Sequence, residues 1–173
     1  LKINTIDYYI TNELKQGLTP VLAIKGNLDM ADNMTPEQRR RNMQHIHSKD
    51  TSIEVKLRTA LWHEGLRYRK NYKKLVGKPD IVITKYRIAV FCDSSFWHGR
   101  NFNTKKPVDT NHEYWDTKIK RNMERDDEVN KQLRSDGWTV LRFWDVDINK
   151  HLEECIQIVK KTILQVTLKK NRL

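Results

Sequence analysis

Two short apolar runs with a few charged residues between them constrain this chain more than any other feature. The first, Ile81-Val82-Ile83, follows Lys78-Pro79-Asp80. The second, Ile88-Ala89-Val90-Phe91-Cys92, ends in Asp93, with Lys85-Tyr86-Arg87 in between. Both runs are too short and too rich in β-branched residues for helices, so they read as the two strands of a hairpin. Asp80 begins one strand and Asp93 ends the other, which places two carboxylates at the open end of the hairpin. The second strand opens onto Ser94-Ser95-Phe96-Trp97-His98-Gly99, two large aromatics and a histidine at a strand end.

Helical signals flank the hairpin. Thr35 and Pro36 suit a helix start, and Gln38 to His45 reads as a short basic helix carrying Arg39, Arg40 and Arg41. Asp50-Thr51-Ser52-Ile53-Glu54 opens a second helix with Ile53, Leu57, Leu61 and Trp62 on its apolar face, closed by Gly65. Leu66 to Arg69 is expected as a first strand. Residues 110–134 read as a long polar helix whose buried side is marked by Trp115, Ile119, Met123, Val129 and Leu133. Trp138 to Trp144 alternates as a half-buried strand, residues 148–166 form a last amphipathic helix, and residues 169–173 are expected to fray. The order predicts an α/β body over residues 34–166, preceded by an arm at 1–33 and followed by a tail at 167–173. The arm is either packed on the body or ordered by a protein partner. Leu1 is not a natural start, so residues are expected before it.

The 173 residues suffice for one domain with a real core. Lys and Arg number 33 against 22 Asp and Glu, a formal net charge of +11 that favours a polyanionic partner. Cys92 and Cys155 stand in unrelated contexts, which excludes a disulfide scaffold and a cysteine-rich zinc site. No stretch has the apolar length of a membrane span and the N-terminus lacks a signal-peptide core, so a cytoplasmic setting without membrane contact is expected.

Metal-dependent cutting of nucleic acid fits these residues. Phosphodiester hydrolysis needs an activated water, a cation at the phosphate and a proton for the leaving oxygen, and Mg²⁺ prefers rigidly held oxygen ligands. Asp80 is the first choice as ligand, against a turn cap after Pro79. Asp93 either joins it or binds elsewhere. Glu54, in a first helical turn, is either a dipole partner or an active-site acid. His98 can exchange a proton with water or a leaving oxygen. Phe96 and Trp97 either plug the core or wedge between bases, and Met43 is either a second wedge or a core methionine. Lys118, Arg121, Asn122 and Arg125 either meet phosphates, as Arg39 and Arg40 would, or pair within their helix. Arg142 is expected to reach solvent or phosphate.

Taken in order, Arg39-Arg40-Arg41-Asn42-Met43, Asp50-Thr51-Ser52-Ile53-Glu54, Gly77-Lys78-Pro79-Asp80 and the Val90 to His98 run resemble the very-short-patch repair endonucleases. These are the Vsr-like branch of the PD-(D/E)xK nuclease superfamily. Trp115 through Asn122 to Arg125-Asp126, Gly137 to Leu141 and Trp144 complete the resemblance, which spans about Met34 to Val159. It implies a single-domain nuclease fold with a central mixed β-sheet flanked by helices. It also implies Mg²⁺-dependent nicking of duplex DNA beside a T:G mismatch. Carried over, Asp80 is the Mg²⁺ ligand, the Cys92 carbonyl helps hold the metal, and Glu54 and His98 are the active-site acid and the catalytic histidine. Phe96, Trp97 and Met43 are the residues inserted into DNA.

Two departures accompany the resemblance. Asp93 stands where the family has an active-site histidine, and the family's zinc ligands read Ser95, Arg100, Phe102 and Val146, so no structural zinc is expected. Cleavage of matched DNA in a restriction or defence setting, a noncatalytic DNA-binding module and a basic scaffold are the alternatives.

Overall fold

β-branched residues in short runs, joined by a tight turn, build the centre of the protein. The computed structural model describes residues 35, 37, 38, 40, 41, 49–100, 102 and 112–171. The arm and the Arg39 and Met43 assignments lie outside the described residues. At the start of the basic segment, Thr35 Oγ1 accepts the amide of Gln38 at 3.2 Å and Gln38 Oε1 accepts the amide of Thr35 at 2.9 Å. This reciprocal cap is the helix start that Thr35 announces.

Residues 49–173 form a separate unit. Its elements are α1 (Ser52–His63), β1 (Arg69–Lys70), β2 (Ile81–Ile83), a 3₁₀ turn (Thr84–Tyr86), β3 (Ile88–Asp93), α2 (His112–Ser135), β4 (Thr139–Trp144), α3 (Asp145–Lys150) and α4 (Leu152–Lys170). The sheet order is β1-β2-β3-β4. β2 and β3 are the expected hairpin, with Ile81 opposite Val90 and Ile83 opposite Ile88. Arg87, at φ 52°, closes its turn in the left-handed region. β4 runs parallel to β3, from Ile88 beside Thr139 to Asp93 beside Trp144. A parallel pair requires a long crossover, which α2 supplies. The sheet is therefore mixed and flanked by helices, as the resemblance implies.

β3 is central, and side-chain alternation sends its residues to two layers. Ala89 and Phe91 pack with Val129 and Leu133 of α2, joined by Leu75, Trp138 and Val140. Ile88 and Val90 are left for the opposite face. Both are fully buried, as are Leu57 and Leu61 of α1 and Cys155 and Val159 of α4, which supply the second layer.

Several local expectations are corrected. The first strand is Arg69–Lys70 rather than Leu66 to Arg69. Trp62 is 52% exposed, with the Arg67 guanidinium 3.8 Å from its ring centroid, so it caps the surface instead of joining the apolar face. Met123, at 37% exposure, lies at the margin of the buried side of α2. The last helix is two: α3 starts directly after Trp144, and His151, at φ −134° and ψ 42°, breaks the path before α4. α4 then continues through Lys170, where fraying was expected.

Candidate active site

The hairpin's two acids meet different fates. The Cys92 amide donates to Asp80 Oδ2 at 2.8 Å, tying the start of β2 to the end of β3. Gly77 and Lys78, at φ 71° and 51°, both adopt left-handed backbone just before Pro79-Asp80. For Lys78 this is an uncommon conformation, and such strain concentrates at functional sites. Burial pushes the Asp80 carboxyl up to about 6 against the Cys92 hydrogen bond; the charges of Glu54 and Asp93 add to the rise and Arg142 opposes it. Asp80 is thus a carboxylate among carboxylates, an environment that a cation relieves.

Asp93 sits one residue beyond Cys92 and on the α2 side of the sheet. Arg142 Nε donates to its Oδ2 at 2.5 Å and Arg142 Nη2 to its Oδ1 at 2.9 Å. Both oxygens of Asp93 are therefore engaged by one guanidinium. Arg142, expected at solvent or phosphate, is inside: its side chain is 10% exposed. Its Nη2 also lies 3.1 Å from Asp126 Oδ1, its Nη1 donates to Asn130 Oδ1 at 3.2 Å, and its guanidinium carbon is 4.7 Å from the Phe91 ring centroid. Burial opposes its charge, but Asp93 and Asp126 outweigh burial and hold the guanidinium protonated.

His98 Nδ1 lies 2.5 Å from Asp126 Oδ2 and 3.8 Å from Asp93 Oδ1. Burial lowers the basicity of the imidazole, yet the hydrogen bond to Asp126 and the charge of Asp93 raise it above its usual value. With Nδ1 committed to a carboxylate, Nε2 is the nitrogen left for chemistry, the arrangement that fixes a catalytic imidazole.

Glu54 performs its structural role in full. Its Oε1 accepts the Thr51 amide at 3.3 Å and the Thr51 hydroxyl at 2.7 Å, and its Oε2 accepts the Asp50 amide at 3.0 Å. Only 4% exposed, it caps α1 and still adds negative potential at Asp80.

The loop after β3 is tied down at each step. The Ser95 hydroxyl bonds Asp145 Oδ1, which also accepts the Val146 amide at 2.8 Å. Asn122 Nδ2 donates to the Trp97 carbonyl at 3.0 Å, so its amide holds the loop. Arg100 donates to Asp147 Oδ1 at 3.3 Å and lies over Trp144. Phe96 and Trp97 are half-buried, edge-on to one another, and each has its centroid 5.4 Å from that of Trp115. Lys118 Nζ stands 5.0 Å from the Trp97 ring and 5.3 Å from that of Trp115. Arg121 and Arg125, like Arg40 on its own segment, are exposed. Helical spacing places Lys118, Arg121 and Arg125 on one stripe of α2.

The donor chemistry fits a hard divalent cation. Glu54 and Asp93 have their oxygens engaged, whereas among the described residues Asp80 has one oxygen on an amide and the other without a hydrogen bond. Mg²⁺ is commonly held by one or two carboxylates while keeping several waters and taking substrate phosphates. The Cys92 thiol, pushed well up by burial and then by Asp80, stays protonated and offers no thiolate. Sequence reasoning missed the roles of Asp126, Asn130 and Arg142. The signal for Arg142 is its position in β4, in phase with Val140 and out of phase with buried Leu141 and Phe143.

Comparison with known proteins places the chain among DNA endonucleases. A family model described as DNA mismatch endonuclease Vsr matches residues 31–104. The type II nicking enzyme V.NmeDIP of Neisseria meningitidis serogroup C is 45% identical over 133 residues, covering 76% of this chain and 90% of that protein. The type II nicking enzyme V.HpaIIP of Haemophilus parainfluenzae is 40% identical over 136 residues, covering 78% and 96%. The DNA mismatch endonuclease Vsr of Escherichia coli (strain K12) is 37% identical over 116 residues, covering 67% and 74%. These relatives, 37–45% identical and matched over 74–96% of their own length, show that the chain belongs to the Vsr family of DNA endonucleases.

Proposed function

We propose that this endonuclease uses Mg²⁺ to hydrolyse one phosphodiester of duplex DNA, nicking beside a T:G mismatch or at a related specific site. The observation that carries the reading is Asp80. It is a carboxyl pushed up to about 6 by burial, with Glu54 and Asp93 adding to the rise, at a strand end where the Cys92 amide fixes one of its oxygens. Asp80, with the Cys92 carbonyl, is the holder of the cation. Bound there, Mg²⁺ supplies positive charge at the scissile phosphate and lowers the pKa of a bound water.

The protein's own groups do the remainder. The Cys92 amide fixes the carboxylate of Asp80, and the buried charge of Glu54 strengthens its hold on a cation. Asp126 holds the imidazole of His98 so that Nε2 delivers a proton to the leaving oxygen, a role suited to a histidine with raised basicity. Lys118, Arg121 and Arg125 track phosphates from one stripe of α2, with Arg39 and Arg40 contributing from the preceding basic segment. Phe96 and Trp97, with Met43, enter the base stack at the distorted step. Asn122 serves this wedge by holding the Trp97 carbonyl.

The test is cleavage of end-labelled duplexes, matched or carrying T:G in varied contexts, with Mg²⁺ or EDTA and an Asp80→Ala control. Mg²⁺-dependent nicking at T:G is expected, abolished in the variant. Cutting of matched duplexes instead overturns the mismatch assignment, and cleavage in EDTA or by Asp80→Ala overturns the site.

A further inference from the structure

We propose that Arg142 is a positioning residue of the active site: its guanidinium withdraws Asp93 from cation ligation and holds Asp126 for His98, leaving Asp80 as the acid that receives the cation. The inference rests on the Mg²⁺-nuclease reading above and deepens it by dividing three acids between two tasks.

The geometry is specific to an arginine. Nε and Nη2 take both oxygens of Asp93, and Nη2 also reaches Asp126 Oδ1. Asp126 then has one oxygen on the guanidinium and the other on His98 Nδ1. A planar fork presents donors at fixed angles to two carboxylates at once, which a lysine ammonium does not reproduce. The Phe91 ring beneath and the Asn130 amide oxygen alongside fix the plane of the fork.

A carboxylate with both oxygens on a buried guanidinium is a poor cation ligand, because ligation has to break charge-assisted hydrogen bonds in a low-dielectric setting. Asp80 carries no such burden, its one hydrogen bond among the described residues coming from a backbone amide. The two hairpin ends therefore differ in availability although both carry aspartate. Arg142, placed on β4 beside Phe91 of β3, makes that difference.

The experiment measures Mn²⁺ binding to the full chain without DNA, by calorimetry or electron paramagnetic resonance, with single-turnover nicking alongside. The set is wild type, Asp80→Asn, Asp93→Asn, Arg142→Lys and the double variant Asp93→Asn/Arg142→Met. Asp80→Asn is expected to lose Mn²⁺ binding, whereas Asp93→Asn retains it, weakened by no more than the roughly 10- to 100-fold of a group outside the ligand set. Arg142→Lys is expected to lower the nicking rate by about 10- to 100-fold, the usual size of a supporting-residue effect, with the KM for duplex unchanged. It also releases Asp93, so Mn²⁺ binding tightens or a second ion is taken up.

If Arg142→Lys does not fold, the double variant, which removes the fork together with its principal partner, carries the test. It is expected to bind Mn²⁺ like wild type and to nick as slowly as the lysine variant. Loss of Mn²⁺ binding in Asp93→Asn to the extent seen in Asp80→Asn overturns the proposal. So does a folded Arg142→Lys or double variant that nicks at the wild-type rate. The underlying nuclease reading fails separately, through undiminished Mn²⁺ binding in Asp80→Asn or none in wild type.

Discussion

His98 Nδ1 and Asp126 Oδ2 lie 2.5 Å apart across 28 residues of chain, joining the loop after β3 to the middle of α2. The pair sets a pH window. His98 is raised above 6.5 through Asp126 and Asp93 against burial, so its contribution to stability is complete below 6.5 and is lost as pH rises through the folded value. Asp126 is lowered below 3.8 by His98 and Arg142 against burial, so its contribution is present above 3.8 and is lost as pH falls through the folded value. The melting-temperature deficit of Asp126→Asn should therefore be largest between 3.8 and 6.5. An NMR titration should show His98 falling in that variant, since burial remains and the hydrogen bond to a carboxylate does not. An unchanged titration breaks the assignment of the pair.

Asp80 should show a conflict between activity and stability. Its carboxyl ionises near 6 in the folded protein and at 3.8 when unfolded, so metal-free stability declines as pH rises across that interval. Asp80→Asn keeps an acceptor for the Cys92 amide and removes the charge. It should abolish nicking while making the metal-free protein more stable by about 1–3 kcal/mol at pH above 6, in line with the size of the shift. Urea unfolding at two pH values checks this. A variant less stable than wild type at high pH contradicts the account.

Gly77 lies three residues before Asp80 at φ 71°, and a Cβ there meets Val129 Cγ1 at 2.4 Å and Phe91 Cζ at 3.3 Å. Gly77→Ala combines strained backbone with overpacking and should cost about 2–4 kcal/mol of stability. Because the displaced loop carries Asp80, nicking should fall as well. Equal melting temperatures for variant and wild type would show that the loop has room to move.

The aromatic loop has a binding signature of its own. Trp97→Ala should weaken binding to a T:G duplex by about 1–3 kcal/mol, the usual worth of one stacked base, and matched duplex by much less. Gel shift or anisotropy at fixed salt measures the difference. Equal losses on both duplexes would assign Trp97 to packing with Trp115 instead.

Much of the fold is legible because its signals are local. The Ile81 and Ile88 runs, the Thr51 to Glu54 helix start and the Gly137 stop each act within a few residues, and each appears where the pattern places it. The break at His151 and the exposure of Trp62 are set by neighbouring elements and leave weak traces in the sequence. Glu54 shows both behaviours. Its capping is local and readable, whereas its influence on Asp80 exists only because α1 lies near the end of the hairpin.

By itself, the sequence determined the hairpin with an aspartate at each end, the helices around it and the histidine beyond it, since hydrophobic periodicity and capping are short-range. It put Asp80 first as a ligand but left open whether Asp93 joins it or binds elsewhere. That choice depends on Arg142, 49 residues away from Asp93, and on the parallel register that sets β4 beside β3. Charge pairing in a buried site follows distance and facing, and only the folded sheet, crossed over by α2, supplies those. One aspartate is thereby tied to a guanidinium and the other left open.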